Sequence, residues 1–373
     1  MGTTRVGVIV RYGLNPIAWR VRHAQGEVSD ATPYGYHWAE SHVDMEWTTD
    51  RPEGRVALWW RMTVRRVLGF DFVHVWRNRG ILTRADVVWT HTEREHLAVA
   101  LLRTLNPRRY GAHTIAQSVW LWDLWPRISW LRRAAFTRLL RAHDVEVVLS
   151  ALNKEDSLRS VPGRKVLRVP FGTHFAAPRT GAPADPAKVL VIGNDRHRDW
   201  HLMKAVAERV PGLSIEIISL SEDVKRLEWP ANVTVNSYRQ REILTEVYRT
   251  AAVVALPLTE NRHASGCTVA IEAVSAGVPV VATDAGGIGE YLRDADATLV
   301  PHGDVDAFAA ALEKHASAAS VPDPAVAERR GLSERDYVDR LLSITASLMA
   351  GSGFDPAVET FAPVSAVEKE PTR

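Results

Sequence analysis

Residues 265–290 read SGCTVAIEAVSAGVPVVATDAGGIGE, and this stretch decides the fold that we predict for the chain. Gly266 permits a tight turn. Residues 268–276 have the pattern of a short helix with Glu272 near its start, where free backbone N–H groups favour an anion. A glycine ends that helix, and residues 278–283 form an apolar run typical of a buried parallel strand. We therefore expect a ligand at the carboxyl end of that strand.

The helix glutamate is followed by Ala-x-x-x-Gly-x-Pro-Val-Val and by a Gly-Gly-x-x-Glu loop, and this pattern resembles the donor-binding signature of family 4 glycosyltransferases. The resemblance extends over about residues 165–310. It implies an α/β protein of GT-B architecture, with two Rossmann-like domains that face each other across a cleft. It also implies a retaining enzyme in which Glu272 holds the donor ribose hydroxyls. For Glu272 alone, the alternative is a residue that merely caps a surface helix.

Residues 189–200, VLVIGNDRHRDW, predict a strand, a glycine turn and a polar loop that leads into a helix, which is a natural position for phosphate. By the resemblance, Arg196 and Arg198 contact the donor diphosphate there, and Gly193 and Asn194 of the same loop belong to the predicted donor-binding set. A guanidinium group suits this role because it stays charged and binds phosphate oxygens in a bidentate way. The alternative is that these arginines only form solvated ion pairs with neighbouring aspartates.

The other donor-side predictions come from the same resemblance. Tyr238 follows a predicted strand at the place where the family packs the nucleobase. The family's first glutamate falls eight positions before Glu272, where this chain has Ala264, so the nearby His263 and Glu260 are the candidates for its role. The remaining members of the donor-binding set lie in the signature turn and are Ser265, Gly266, Cys267 and Thr268.

The amino-terminal half is expected to contribute the reaction centre and the acceptor side. His91 ends a predicted strand and matches a histidine that the family often has there, where it binds a sugar hydroxyl or a donor phosphate; the alternative is a hydrogen-bonded structural histidine. With Arg198 and Glu272 it forms the predicted catalytic set. Gly13, after the first strand, would let the backbone approach the donor phosphate. The predicted acceptor-side residues are Gln117, Trp120 and Asp123.

Alternating strand and helix patterns predict two units. In the first unit, strands are predicted at residues 5–10, 71–76, 86–91, 113–119, 146–151 and 165–169. The predicted organisation is an acceptor-side Rossmann-like domain over 1–175, a linker over 176–186, a donor-side Rossmann-like domain over 187–332, a helix over 333–350 that returns to the first domain, and a disordered tail over 351–373.

Charge and tryptophan are unevenly divided along the 373 residues. Residues 1–172 contain 26 Lys and Arg against 16 Asp and Glu and hold 11 of the 13 tryptophans, whereas the remainder has 20 basic and 28 acidic residues. The segments 56–68 and 120–133 combine aromatic with basic residues, which favours contact with an anionic membrane surface or a lipid-linked acceptor. The alternative is that these tryptophans fill the core while the arginines solvate its outside.

Several classes of protein are excluded by composition. The single cysteine excludes a disulfide framework within the chain and suits a reducing compartment. With no signal segment and no apolar stretch of membrane-span length, we expect a cytoplasmic protein, with or without membrane association. The dispersed charge and the absence of a known motif predict no nucleic-acid partner. The Asp-x-Asp pairs at 294–296 and 304–306 are interpreted as a turn and a helix cap, so neither a metal nor another cofactor is predicted.

The predicted reaction is the transfer of a sugar from a nucleoside diphosphate sugar to a hydroxyl group, without a metal. The acceptor would be a carbohydrate or a lipid-linked molecule, as in the biosynthesis of a cell-envelope glycan or an exopolysaccharide. Two alternatives have the same fold. One is a nucleotide-sugar epimerase, and the other is a scaffold that binds nucleotide without catalysis.

Overall fold

The computed structural model describes residues 3–179, 181, 183, 185, 187–238, 241–318 and 321–364. Within these residues the chain forms two six-stranded sheets, and every pairing between their strands is parallel. Parallel strands are covered on both faces, which explains why most of these strands are short, nearly continuous apolar runs. The α/β fold class predicted from the sequence is confirmed.

The first sheet is built from residues 5–168. Its strands are β1 (Arg5–Ile9), β2 (Asp44–Trp47), β3 (Val87–Thr90), β4 (His113–Gln117), β5 (Val145–Val148) and β6 (Val166–Arg168). They lie in the order β2-β1-β3-β4-β5-β6. The helices of this unit are α1 (Pro16–Ala24), α2 (Arg55–Leu68), α3 (Phe72–Arg77), α4 (Ile81–Arg84), α5 (Glu93–Leu105), α6 (Leu121–Leu124), α7 (Trp130–Leu140) and α8 (Ala151–Ser160), with 3-10 helices at Pro33–Ala39 and Trp125–Arg127.

The second sheet is built from residues 188–300. Its strands are β7 (Lys188–Ile192), β8 (Ser214–Ile218), β9 (Val233–Asn236), β10 (Val253–Leu256), β11 (Val280–Thr283) and β12 (Ala297–Val300), in the order β12-β11-β10-β7-β8-β9. Its helices are α9 (Trp200–Arg209), α10 (Glu222–Arg226), α11 (Arg241–Thr250), α12 (Cys267–Ser275), α13 (Ile288–Leu292), α14 (Val305–Ala318) and α15 (Ala325–Arg329). The order reverses between β7 and β10, which is where such sheets bind ligands.

The chain crosses between the two sheets twice, and the two crossings touch. The Thr173 N–H donates to the Leu332 carbonyl at 3.1 Å, and the Glu334 N–H donates to the Thr173 carbonyl at 3.2 Å. A Cβ on Gly172 would lie 1.9 Å from the carbonyl oxygen of Ser333, so only glycine fits there. Of the predicted linker over 176–186, residues 180, 182, 184 and 186 lie outside the described residues.

After the second crossing, helix α16 (Glu334–Ala350) packs on the first unit. It begins with a capping box, in which the Ser333 hydroxyl accepts from the Asp336 N–H at 3.1 Å. Farther along, the Trp89 indole N–H of β3 donates to the Thr345 hydroxyl at 2.9 Å. These contacts carry the end of the chain back to the amino-terminal sheet.

The prediction of a disordered tail from residue 351 onward is wrong for residues 351–364, which the structure describes as ordered. They include a 3-10 helix, Pro356–Glu359, in which Val358 is fully buried. The buried Arg340 guanidinium donates to the Ala362 carbonyl at 2.8 Å, and Arg168 donates to the Glu359 carbonyl. Small residues and proline indicate disorder, but these distant arginines satisfy the backbone of the segment. Residues 365–373 lie outside the described part.

The strand predicted at residues 71–76 is also wrong, because this segment forms helix α3. Valines favour a strand when the segment is taken alone. In the fold, however, Val73 and Val75 are buried, and the His74 ring donates from Nε2 to the Val10 carbonyl at 3.1 Å. Tertiary contacts therefore override the local preference. The sixth strand of the first sheet is β2, a partly exposed edge strand that the prediction did not include.

Candidate active site

The loops that follow β7 and β10 meet where the strand order of the second sheet reverses. Arg198 and Leu258 form an isolated antiparallel bridge between the two loops. Next to it, the Asp199 N–H donates to the Pro257 carbonyl at 2.9 Å. The two loops are thereby joined into one surface beside the first turn of α12.

Arg198 is buried in this surface, with 5% of its area exposed. Its Nε donates to the Ile192 carbonyl at 3.2 Å and its Nη1 to the Ser265 hydroxyl at 3.4 Å. Gly193 and Gly266 leave room for it, since a Cβ on them would lie 2.3 Å from Nε and 3.2 Å from Nη1, respectively. In the part of the chain that the structure describes, no carboxylate forms an ion pair with this group. Asp195 is the main favourable charge on Arg198, but it acts without direct contact and through Ser265, so the buried cation is suited to an additional anion.

Helix α12 presents its first turn at the same place. The residue before it, Gly266, has a φ of +83°, a conformation that favours glycine. The Cys267 N–H donates to the Ala264 carbonyl at 3.2 Å, whereas no side chain among the described residues caps the N–H groups that follow it. The helix dipole and these N–H groups favour a negative charge near Arg198.

Glu272 lies on the second turn of α12, and its Oε2 accepts a hydrogen bond of 2.6 Å from the Tyr248 hydroxyl of α11. Burial raises the pKa of Glu272 to about 7; the hydrogen bond from Tyr248 opposes that shift, and the Asp30 carboxylate adds to it. Burial and then Glu272 raise the pKa of Tyr248, while Arg198 lowers it. Tyr248 is thus the neighbour of both predicted catalytic groups in the donor unit, so the structure brings these two together.

The position of the family's first glutamate contains no acid. Ala264 is 3% exposed and packs, with the buried Cys267, in the hydrophobic core of the first unit. Burial raises the pKa of the Cys267 thiol to about 12, so the thiol stays protonated. Glu260 is exposed, whereas His263 is buried and points to both units.

His263 joins the two units through a pair of carboxylates. Its Nδ1 lies 2.9 Å from Oδ2 of Asp123 on α6, and its Nε2 lies 3.5 Å from Oδ2 of Asp195 in the β7 loop. Asp195 also accepts a hydrogen bond of 2.6 Å from Ser265. Burial disfavours a charged imidazole, but the hydrogen bonds to the two aspartates outweigh it and raise the pKa of His263 to about 8. Asp123, predicted on the acceptor side, is therefore engaged with the donor loop.

This contact predicts a pH dependence of stability. Because the folded pKa of His263 lies above its unfolded value of about 6.5, the stabilisation is fully present below pH 6.5 and is lost as the pH rises through about 8. The shift corresponds to ~2 kcal/mol. We expect the unfolding free energy of the wild type to fall by about that amount between pH 6 and pH 9 relative to His263→Gln, measured by denaturant titration.

His201→Gln, a change at an exposed histidine of α9, is the matched control and should keep the wild-type pH profile. An identical profile for His263→Gln and the wild type would contradict the assignment.

The Gly-Gly-x-x-Glu loop also holds the units together. A Cβ on Gly287 would lie 2.4 Å from the Cβ of Ser150, so glycine permits the close approach of the first unit. Glu290 accepts from the Ala151 N–H at the start of α8 at 2.8 Å and from Arg168 at 2.7 Å. This glutamate is engaged in contacts between the units.

His91 lies directly after β3 under two tyrosines. Its Nδ1 is 3.0 Å from the Tyr36 hydroxyl, and the Tyr34 ring stacks on it with a centroid distance of 3.2 Å. Tyr34 has a φ of +64°, in the left-handed region that favours glycine. Burial, with a smaller effect of Arg11, lowers the pKa of His91 to about 3, so its imidazole is neutral. These contacts are those of a hydrogen-bonded structural histidine, and its role at the reaction centre stays a prediction.

Three predicted donor residues lie outside the Arg198 and Glu272 cluster. Asn194 is exposed and accepts from the Leu220 N–H at 2.5 Å, which orders the loop after β8. Arg196 is exposed, and its Nε contacts His197. Tyr238 lines a groove with Glu216 and α11. The sequence could not distinguish the buried arginine of this loop from the exposed one, because both stand beside aspartates.

The remaining predicted residues are dispersed. The Gly13 N–H donates to Asp50 at 3.1 Å, and Thr268 is exposed on α12. Gln117 accepts from the Tyr337 hydroxyl of α16, while its buried amide nitrogen has no partner within the described ranges. The Trp120 backbone N–H donates to Glu93 at 3.2 Å.

Three polar neighbours of the cluster were not predicted. Tyr248 lies on α11, and nothing in its local sequence indicates that its hydroxyl contacts Glu272. Asp195 was noted only as an ion-pair partner of the arginines. Asp30 is separated from Glu272 by more than two hundred residues, so no local pattern could place it there.

The two parallel sheets, the paired crossings and the returning helix define the GT-B architecture. The structure is similar to sucrose-phosphate synthase from Thermosynechococcus elongatus, with a TM-score of 0.63 and 19% identity over 93% of this chain and 97% of that one. It is also similar to Anabaena Alr3699/HepE, solved in complex with UDP and glucose, with a TM-score of 0.61 and 15% identity over 93% of this chain and 100% of the other. At these identities the likeness establishes the fold.

A narrower similarity covers the donor unit. Residues 184–317 match the family model described as glycosyl transferases group 1. An alignment of 174 positions that covers 41% of this chain shows 31% identity to the D-inositol 3-phosphate glycosyltransferase of Rhodococcus erythropolis (strain PR4 / NBRC 100887). The matched segment spans 38% of that relative's length.

Proposed function

We propose that this protein is a retaining glycosyltransferase that transfers a sugar from a nucleoside diphosphate sugar to a hydroxyl group. The observation that carries the proposal is the buried Arg198 guanidinium without a carboxylate partner among the described residues, next to the open first turn of α12 and near Glu272. Because a diphosphate supplies the missing negative charge and a ribose supplies hydroxyl groups for Glu272, one ligand satisfies both groups. A UDP-sugar is the first candidate, since the similar Anabaena structure contains UDP.

In the proposed reaction the glycosidic bond breaks as negative charge develops on the diphosphate. Arg198 and the α12 N–H groups stabilise that charge, which is electrostatic catalysis by groups already in place. The acceptor hydroxyl approaches from the first unit and attacks on the face from which the diphosphate leaves. Because attack and departure use the same face, the anomeric configuration is retained, and the leaving phosphate takes the proton of the acceptor hydroxyl. The scheme requires no metal, because the two positive groups supply the charge.

A donor screen tests this proposal. The thermal stability of the full chain is measured with UDP, GDP and ADP and with their sugars, since a ligand at 100 times its dissociation constant stabilises by ~2.7 kcal/mol. The stabilising donor is then incubated with carbohydrate and lipid-linked acceptors in the presence of EDTA, and the anomeric configuration of the product is determined by NMR. Release of an altered sugar nucleotide without acceptor would identify an epimerase instead. No stabilisation by any nucleotide would overturn the proposal.

We further propose that the first unit contacts an anionic membrane, which is where a lipid-linked acceptor would lie. None of the described helices is long and apolar enough to cross a bilayer. Helix α2, however, exposes its apolar side chains, with Val56 80%, Trp59 65% and Val67 67% exposed. The start of α7 lies beside it, because Arg132 donates to the Val67 carbonyl at 2.9 Å, and Trp130 there is 76% exposed.

The charges of this surface are complementary to anionic lipid. Arg61, the residue of α2 that faces inward, is buried against Glu53 and Asp71 at 2.9 Å from each. The other arginines of α2 and α7 lie among the exposed apolar side chains, and neither helix contains an acidic residue. Tryptophan and arginine together favour the bilayer interface.

We expect the double variant Trp59→Ser/Trp130→Ser to bind anionic lipid vesicles at least about tenfold more weakly than the wild type, since tenfold corresponds to ~1.4 kcal/mol and two aromatic side chains are removed from the interface. The measurement is co-sedimentation with phosphatidylserine-containing vesicles. The control is Leu299→Ser, which changes an exposed apolar residue of β12. Equal binding by the wild type and the double variant would contradict the proposal.

A further inference from the structure

Three side chains of the types that bind metals, an aspartate, a histidine and a glutamate, lie close together where the chain crosses between the two units. Asp30 comes from the segment after α1, His174 from the first crossing, and Glu334 from the start of α16 after the second crossing. One coordinating atom of each lies within 4.8 Å of those of the other two. Nδ1 of His174 is 4.0 Å from Oε1 of Glu334.

Glu334 is the buried centre of this group, with 7% of its area exposed. Its Oε2 accepts from the Trp38 indole N–H at 3.2 Å, whereas Oε1 has no hydrogen-bond partner in the part of the chain that the structure describes. The Asp30 carboxylate lies directly beside it. Two adjacent carboxylates repel each other unless a proton or a cation lies between them.

Glu334 borders an accessible space, although its Oε1 atom is itself covered. Glu334 and His174 line an open groove of about 550 Å³, together with Trp38, Phe175 and Arg335. A small ion can therefore approach His174 and Glu334 from solvent. On the inner side, a Cβ on Gly35 would lie 2.7 Å from the Cβ of Glu334, so the glycine lets the backbone close over the buried acid.

We propose that Asp30, His174 and Glu334 bind one Zn²⁺ ion. One imidazole and two carboxylates form a donor set that zinc accepts, with bonds of about 2.0–2.2 Å, so that two ligands of a tetrahedral ion lie about 3.4 Å apart. The 4.0 Å between Nδ1 of His174 and Oε1 of Glu334 is wider than this, and no pair of coordinating atoms among the three residues exceeds 4.8 Å. Binding therefore requires the side chains to move inward around the ion, and the exposed His174 can do so by rotation. A water molecule would complete the tetrahedron from the groove.

A second cluster shows that aspartates and histidines lying close together do not by themselves form a metal site. Asp123, His197 and His263 also lie close together. There, however, both ring nitrogens of His263 are already engaged by carboxylates of Asp123 and Asp195, so the contacts of that cluster are explained without a cation. Around Glu334 the internal solution is a proton shared with Asp30, so a proton and a cation are the two alternatives that the zinc titration distinguishes.

The ion would join both crossings to the first unit. Since the crossings connect the two sheets, the bound state would resist their relative rotation. This inference does not rest on the proposed transfer reaction, because the ligands are identified by their own contacts and the ion is assigned no chemical step.

The test uses the untagged full chain after EDTA treatment and dialysis. Calorimetric titration with Zn²⁺ is expected to show one ion bound per chain together with an increase in the unfolding temperature, whereas Mg²⁺, which prefers all-oxygen sites, should bind far more weakly. His174→Gln and Asp30→Asn should each reduce the zinc affinity at least about tenfold. His302→Gln, whose ring also faces a carboxylate at 3.9 Å, is the matched control and should keep the wild-type affinity.

Absence of stoichiometric zinc binding by the wild type would overturn the inference, as would equal affinity of the wild type and both ligand variants. Nucleotide binding is measured on the same samples. Loss of zinc binding by His174→Gln with intact nucleotide binding supports a separate cation site, and failure of nucleotide binding alone affects only the proposed reaction.

Discussion

Replacing Arg198 by methionine should lower kcat/KM for sugar transfer by about 10³-fold, because one preorganised group that stabilises developing charge contributes about 10²–10³ and this group is a buried cation. Methionine fills similar space between Gly193 and Gly266 but supplies no charge. The fold should persist, since the change removes a buried charge that has no carboxylate partner among the described residues. The measurement is steady-state transfer with the donor found in the nucleotide screen.

The matched control is Arg196→Met, two positions earlier in the same loop. Arg196 is exposed and contacts only the neighbouring His197 ring among the hydrogen bonds described above. Both variants lose one positive charge, so a general electrostatic effect would reduce transfer by both alike. Comparable losses in the two variants, or wild-type transfer by Arg198→Met with an unchanged unfolding temperature, would refute the role of the buried guanidinium.

Replacing Glu272 by glutamine should weaken nucleotide binding by about 10²-fold, because hydrogen bonds to a charged group contribute ~1.5–3 kcal/mol and the amide presents only one acceptor atom. Glutamine is nearly isosteric and can still accept from Tyr248 through its carbonyl oxygen. The loss should therefore appear in the dissociation constant of the nucleoside diphosphate and less in the unfolding temperature. Isothermal titration calorimetry with the bare nucleotide measures it without an acceptor.

Glu313→Gln provides the control for this second variant, since Glu313 is an exposed glutamate of α14 in the same unit. It should bind nucleotide as the wild type does. If Glu272→Gln binds nucleotide and transfers sugar like the wild type, the ribose contact is wrong, and the glutamate serves only as the partner of Tyr248.

The sequence predicted the fold class because its signals were local and repeated. Apolar runs such as 278–283 and 253–256 indicate parallel strands whatever their neighbours are, and the glycine-terminated helix before β11 has one reasonable geometry. The strand predicted at 71–76 was wrong because Val73 and Val75 are apolar in either conformation. The contacts of these valines with distant elements stabilise the helix rather than a strand.

The candidate site was less predictable, since its parts are brought together by packing. Arg196 and Arg198 are equivalent in the printed sequence, and only the fold shows that one is buried between two glycines. Tyr248 donates a hydrogen bond to Glu272 from α11, and the charge of Asp30, in another segment, raises the pKa of Glu272. For α2, the sequence allowed tryptophans either at the surface or in the core, and the structure has them at the surface. Arg61 occupies the inward-facing position of the helix, so the aromatic rings lie outside.

The two chain crossings at Gly172 and Ser333 define where the halves of the molecule can pivot. Since their backbones are hydrogen-bonded side by side, neither strand of chain can slide past the other. Any opening of the cleft between the two units therefore pivots at these crossings, and the displacement of a residue grows with its distance from them. Two fluorescent labels, one on each unit and far from the crossings, are expected to show the largest change in distance, whereas a pair of labels beside the crossings should show none.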